Sequence, residues 1–231
     1  VRGAKGGWGS WGDKIQVIPN GVNPERFATK LTPPKYFTVG FVGTLKPWHG
    51  LSNLIASFAQ FYRNHPETRL LIVGDGPQRE QILGEIQTHE LQSVVELTGA
   101  VSPREIPPLL TKISVGIAPY PRLEQFYFSP LKIYEYMAAG LPVIASDIGQ
   151  ISELINHGVN GLLVPPDNVD ALTGCLEQLW RSPQLCEQLG NNARQKILQH
   201  HTWDNIARKI INSALGQNII YTSLDLLRPP C

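Results

Sequence analysis

The feature that most constrains this chain is a rhythm. Short apolar runs rich in β-branched residues recur along it, and longer stretches with helical spacing lie between them. The runs are Phe37–Val42, Leu70–Val73, Val94–Leu97, Ser114–Ala118, Pro142–Ala145 and Gly161–Val164. The helical stretches are Leu51–Tyr62, Gln78–Thr88, Ile106–Thr111, Leu131–Ala139, Ser152–Asn156 and Asp170–Trp180. In the first of these, Leu51, Leu54, Ile55, Phe58 and Phe61 share one face. From Pro183 to Leu215 the pattern reads as helical throughout.

Runs that are apolar on both faces and separated by helices mean a parallel sheet covered on each side. The crossovers must be right-handed. The expected fold is α/β, a doubly wound, Rossmann-like parallel sheet of about six strands. In such sheets a ligand sits beyond the carboxyl ends of the strands. That rule singles out the loops Gly43–Gly50, Gly74–Pro77, Gly99–Pro103, Tyr120–Pro130 and Ser146–Gln150.

Composition narrows the function. Of 231 residues, 42% are hydrophobic and 17% charged, enough for one sizeable soluble core. The net charge is +1, so no broad basic field draws nucleic acid, and any bound anion must be held by local geometry. The three cysteines, Cys175, Cys186 and Cys231, are odd in number and show no CxxC spacing. Neither a disulfide scaffold nor a metal is expected from them, and a reduced, cytoplasmic setting fits. No apolar run reaches the roughly 18 residues that span a bilayer. Residues 1–14 read as an irregular N-terminal segment, 15–215 as one compact domain, and 216–231 as an irregular tail.

Three loops carry chemistry. The first runs Gly40-Phe41-Val42-Gly43-Thr44-Leu45-Lys46-Pro47-Trp48-His49-Gly50. Its glycines let a ligand approach the backbone, the helix after it offers free N–H groups, and Lys46 and His49 are expected to bind an anion. The second, Gly74-Asp75-Gly76-Pro77, is first of all a turn signal. The third opens the helix of Leu131-Lys132-Ile133-Tyr134-Glu135. Ser129 is expected as its N-cap and Pro130 as its first residue. The amides of Leu131 and Lys132 would then face a diphosphate. Glu135 lies deeper in a mostly apolar helix, where a carboxylate needs a partner; vicinal hydroxyls such as those of a ribose suit it.

Together these segments resemble the C-terminal domain of the retaining glycosyltransferases called glycosyl transferases group 1, or family four. The resemblance covers about residues 15 to 215. It rests on Ile18-Pro19-Asn20-Gly21-Val22, on the stretch from Phe41 to Gly50, and on Leu71-Ile72-Val73-Gly74-Asp75-Gly76-Pro77. It continues through Glu135 to Gly149, Glu153-Leu154-Ile155 and Asn160-Gly161-Leu162-Leu163-Val164. The resemblance implies the C-terminal half of a GT-B fold, two facing Rossmann-like domains of which this one binds a nucleotide sugar. It implies donor contacts at Gly43, Thr44, His49, Gly74, Ser129, Pro130, Leu131 and Glu135, with Gly99 and Val101 by the base. It further implies sugar transfer with retention, without a cofactor or metal. The acceptor (glycan, lipid or small molecule) and any peripheral membrane contact belong to an absent N-terminal domain.

The chain also departs from the family pattern. Thr44 and His49 stand where the family commonly has Arg and Lys, and Tyr127 stands where it often has a first glutamate, with Glu124 three residues earlier. Lys46 then supplies positive charge from the other side of Trp48. In the expected chemistry Lys46 and Lys132 stabilise the charge that a nucleoside diphosphate gains as the glycosidic bond breaks. Two alternatives share the architecture: a sugar-nucleotide epimerase or hydrolase, and a non-catalytic nucleotide-sugar-binding module.

Overall fold

The computed structural model describes residues 17–27, 34–123 and 129–215. The irregular segment 1–14, the tail 216–231, and the positions of Glu124 and Tyr127 lie outside the described residues. Six strands form one parallel sheet: β1 (Thr38–Val42), β2 (Arg69–Val73), β3 (Val95–Leu97), β4 (Val115–Ala118), β5 (Val143–Ser146) and β6 (Leu162–Val164). Their order is β3-β2-β1-β4-β5-β6. The sheet grows outward from β1 in one direction and then from β4 in the other, so the switch point lies between β1 and β4.

Eight helices cover it: α1 (Leu51–Asn64), α2 (Arg79–Thr88), α3 (Ile106–Leu110), α4 (Leu131–Ala138), α5 (Ile151–Leu154), α6 (Val169–Arg181), α7 (Pro183–His200) and α8 (Trp203–Ala214), counted among the described residues. The period-two alternation of the strands divides their side chains between two cores. Val39, Phe41, Leu70, Ile72, Val115, Ile117 and Ile144 join α1, α2 and α6 in one core. Val42, Leu71, Val73, Ala118, Val143 and Ala145 join α3, α4 and α5 in the other. The expected face of α1 is the buried one, from Leu51 through Phe61.

Two expectations need correction. The edge strand β3 is not apolar on both faces, because Glu96 is exposed between half-buried Val95 and Leu97. The stretch from Pro183 to Leu215 is not helical throughout: it breaks at His201 and Thr202 into two helices. His201 ends α7, and Thr202, in extended conformation, caps α8 by accepting the Asn205 N–H through Oγ1 at 3.1 Å. No helix among the described residues is long and apolar enough to cross a membrane.

One glycine explains how α4 reaches the switch point. A Cβ on Gly116, in β4, would lie 2.5 Å from the Tyr136 ring, so only glycine lets that ring press onto the sheet. The Tyr136 hydroxyl then accepts the Val42 N–H at 2.7 Å, at the carboxyl end of β1. The helix that carries Lys132 and Glu135 is thereby tied to the strand that ends in the first glycine loop.

Candidate functional site

The glycine loops after β1 and β2 close onto each other before any ligand is considered. Gly43 N donates to Val73 O at 2.9 Å, Leu45 N to Asp75 O at 3.0 Å, and Gln78 N to Leu45 O at 3.1 Å. Gly74, at φ 138°, has no room for a side chain, since a Cβ would meet Gly43 O at 2.1 Å. It bridges to Gly99 on the third loop. Gly74 thus supports the Gly43 loop from behind. Gly50 is forced in the same way by the Pro119 carbonyl, which joins the loops after β1 and β4.

Lys132 is the centre of the arrangement. Its side chain is buried, and its Nζ has no hydrogen-bond partner among the described residues. The ammonium lies 3.9 Å above the Phe41 ring and 5.5 Å from that of Tyr120. A Cβ on Gly43, at φ 146°, would stand 2.9 Å from Nζ, so the glycine is what lets the amine reach the loop. A desolvated cation–π contact is worth about 2 kcal/mol. The effective cost of burying an ion is several kcal/mol. The rings therefore do not compensate the burial, and it pushes the Lys132 amine down to about 7, with Glu135 opposing. An anion at this point would complete the site.

His49 stands close by, with its ring against Phe41, Trp48 and Tyr120. The sequence reading of His49 as an anion-binding side chain is corrected here. Its Nδ1 is 2.5 Å from the Thr44 carbonyl, an acceptor only, so Nδ1 carries the proton. Burial, then the charge of Lys132, pushes the imidazole down to about 4. His49 is therefore neutral near pH 7, and its Nε2 is an acceptor. Lys46 is near enough to lower His49 as well, and its Nζ lies 5.5 Å from the Trp48 ring. Thr44 is exposed and contributes its carbonyl.

The start of α4 also differs from expectation. Ser129 is not the N-cap and Pro130 is not the first helical residue: the helix begins at Leu131, and Pro130, at φ −79° and ψ 64°, caps it without a side-chain bond. The reason is a tight turn in which Leu131 N donates to Ser129 O at 2.9 Å. That turn spends the Leu131 amide, while the Ser129 hydroxyl is buried without a hydrogen-bond partner among the described residues. Leu131 itself is exposed, and Val101 packs partly buried against the α4 core.

Glu135 is half-buried, on the flank of α4 that faces the turn Pro24–Phe27. Burial pushes its carboxyl up, and Arg26 and Lys132 pull it back. Arg26 Nη1 stands 3.9 Å from Glu135 Oε1, a contact the sequence reading missed. No periodicity marks Arg26; its only signal is its place just before the buried Phe27. No group of three His, Cys, Asp or Glu residues suited to a metal occurs among the described residues.

A cavity of about 510 Å3 lies elsewhere, at the amino ends of β1–β3, lined in part by Lys35, Tyr36, Arg69, Glu96 and Lys112. Its cations are open to water or partly so. The glycine-bounded amine of Lys132, without a hydrogen-bond partner among the described residues, is at the opposite edge, and we assign the site there.

Comparison with known proteins identifies the family. Residues 22–196 match the family described as glycosyl transferases group 1. An uncharacterized glycosyltransferase of Methanocaldococcus jannaschii is 28% identical over 215 residues, covering 87% of this chain and 53% of that protein. A D-inositol 3-phosphate glycosyltransferase of Jonesia denitrificans is 31% identical, covering 86% and 50%. The structure of Anabaena HepE in complex with UDP superposes with a TM-score of 0.77 at 25% identity, covering 87% of this chain and 57% of that one. HepE has also been solved with UDP-glucose. The chain spans about half the length of the curated relatives it matches.

Proposed function

The chain belongs to the glycosyl transferases group 1 family, and on that premise we propose that it is the donor-binding half of a metal-independent, retaining glycosyltransferase. The donor is a nucleoside-diphosphate sugar, and a UDP-sugar is favoured by the likeness to HepE with its bound UDP and UDP-glucose. The observation that carries this reading is Lys132: a buried amine without a hydrogen-bond partner among the described residues, at the switch point, beneath a glycine loop.

Each residue has a part. The diphosphate lies against the Gly43 loop and the start of α4, and the ribose hydroxyls donate to Glu135. As the bond between the anomeric carbon and the phosphate oxygen breaks, its electron pair leaves with the diphosphate. The Lys132 ammonium then faces the growing charge, with Lys46 further out; preorganised charge of this kind is commonly the largest catalytic contribution. These two cations are the basis for metal independence. Neutral His49 accepts from a donor hydroxyl. The acceptor is held by chain beyond this half, and the setting is the cytoplasm.

A thermal-shift panel of UDP, GDP, ADP and UMP tests the reading. Ligands that bind the native state raise its apparent stability according to their affinity. At least one diphosphate should raise the Tm, and UMP should raise it much less. A flat response to every diphosphate would remove the assignment.

A further inference from the structure

Arg26 is placed by the fold against the acid assigned to the ribose. The turn that carries it is well anchored: Phe27 is buried, and Arg194 donates to the carbonyls of both Phe27 and Ala138. From this base the guanidinium extends between two segments far apart in sequence. Nη2 donates to the Pro103 carbonyl at 3.0 Å, in the loop that follows Gly99, while Nη1 stands 3.9 Å from Glu135 Oε1.

The longer distance decides the role. At 3.9 Å there is no hydrogen bond, so both carboxylate oxygens of Glu135 keep their acceptor capacity toward Arg26. The separation is short enough for the charges to interact. Without a nearby cation, burial would favour the protonated acid, in which one oxygen donates instead of accepting. A tight bidentate pair would leave the acid ionised but occupied. The observed geometry avoids both outcomes, and a charged acid with open acceptor positions is suited to two adjacent hydroxyls.

We propose that Arg26 is a positioning residue that makes the nucleotide site selective for an intact ribose diol, by holding Glu135 from the side and linking it to the loop after β3. This rests on the reading that Glu135 receives the ribose. The role differs from that of Lys132, which faces the diphosphate.

The test is calorimetric titration of the 231-residue chain with UDP and 2′-deoxy-UDP from about pH 5 to pH 8, across the acidic range where a raised carboxyl titrates. Wild type, Glu135→Gln, Arg26→Gln and Arg26→Lys are compared. Wild type should prefer UDP by about tenfold or more, the value of a hydroxyl bond to a charged group. Glu135→Gln should lose that preference. Arg26→Gln should retain less than about a third of it, and its UDP affinity should begin to fall at higher pH than in wild type as Glu135 protonates. Arg26→Lys keeps the charge but not the fork, so its pH profile should hold while the preference falls part-way. A wild-type preference and pH profile in Arg26→Gln, with the preference lost in Glu135→Gln, overturns the role of Arg26 alone. The same wild-type preference in Arg26→Lys overturns it even if Arg26→Gln does not fold. No diol preference in wild type overturns the ribose reading, and this inference with it.

Discussion

The two ends of the sheet use the same contact for different purposes. At the amino ends of β1 and β2, Arg69 and Lys35 lie 4.6 and 5.0 Å from the Tyr36 ring. At the carboxyl end of β1, Lys132 lies 3.9 Å from the Phe41 ring. Arg69 also has carbonyl partners at Thr68 and Pro66, and Lys35 is exposed to water. Lys132 has neither. A cation on an aromatic ring is a routine surface contact when water or carbonyls complete its solvation. The same cation buried without them is an unmet requirement, and a ligand can meet it. The 510 Å3 hollow lies beside Tyr36, at the end where water or carbonyls complete the cations.

The comparison is broken or sharpened most directly by removing one cation from each end. Lys132→Met should weaken UDP binding roughly 10- to 100-fold, the worth of a charge-assisted bond to phosphate. Lys35→Met should change it less than about twofold, as expected of an exposed charge. Calorimetric titration of both variants decides, and equal losses would mean that the buried amine has no special part.

pH should separate the two ends next. Lys132 is pushed down from 10.5 to about 7, so between those values the unfolded chain holds a proton that the folded chain lacks. Stability of the nucleotide-free protein should therefore rise with pH across that window, relative to Lys132→Met. Diphosphate binding should do the opposite, weakening above about pH 7 by up to about tenfold per unit, because the ammonium form binds and must take up its proton. Chemical denaturation and titration of the same samples across pH measure both slopes, and parallel profiles in wild type and Lys132→Met would remove the assignment.

The glycines give the smallest contrast. Gly43→Ala puts a methyl 2.9 Å from Lys132 Nζ at φ 146°, and it should cost about 1–3 kcal/mol of stability while weakening UDP binding. Gly174, inside α6, has nothing within 4 Å of its absent Cβ. Gly174→Ala should stabilise by up to about 1 kcal/mol and leave binding unchanged. Urea unfolding with a UDP titration compares them.

Much of the fold was legible because burial on both sheet faces leaves an unbroken apolar run. All six runs became strands, and boundaries moved by a residue or so, as where β2 begins at Arg69 rather than Leu70. The long C-terminal pattern hid its break because His201 and Thr202 continue a polar stretch, and the break is made by Thr202 capping the start of α8, not by a glycine or proline. The glycines of the site were legible as turn signals. Their consequences were not: Gly74 braces Gly43, and Ser129 is displaced from the cap by a turn formed by its own carbonyl. His49 reads as a cation in any sequence, and only its burial and the nearby Lys132 make it neutral, while the Thr44 carbonyl fixes which nitrogen carries the proton.

By itself the sequence determined the α/β class and the number of the strands, and it pointed to their carboxyl ends as the place to look for a ligand. These follow from periodicity and from turn chemistry, which act over a few neighbouring residues. Only the tertiary structure decided that Lys132 lies beneath Gly43 without a hydrogen-bond partner among the described residues, and that Arg26 reaches Glu135 and Pro103 together. Such contacts join segments that are remote along the chain, and their distances are set by how whole layers pack, which no local pattern encodes.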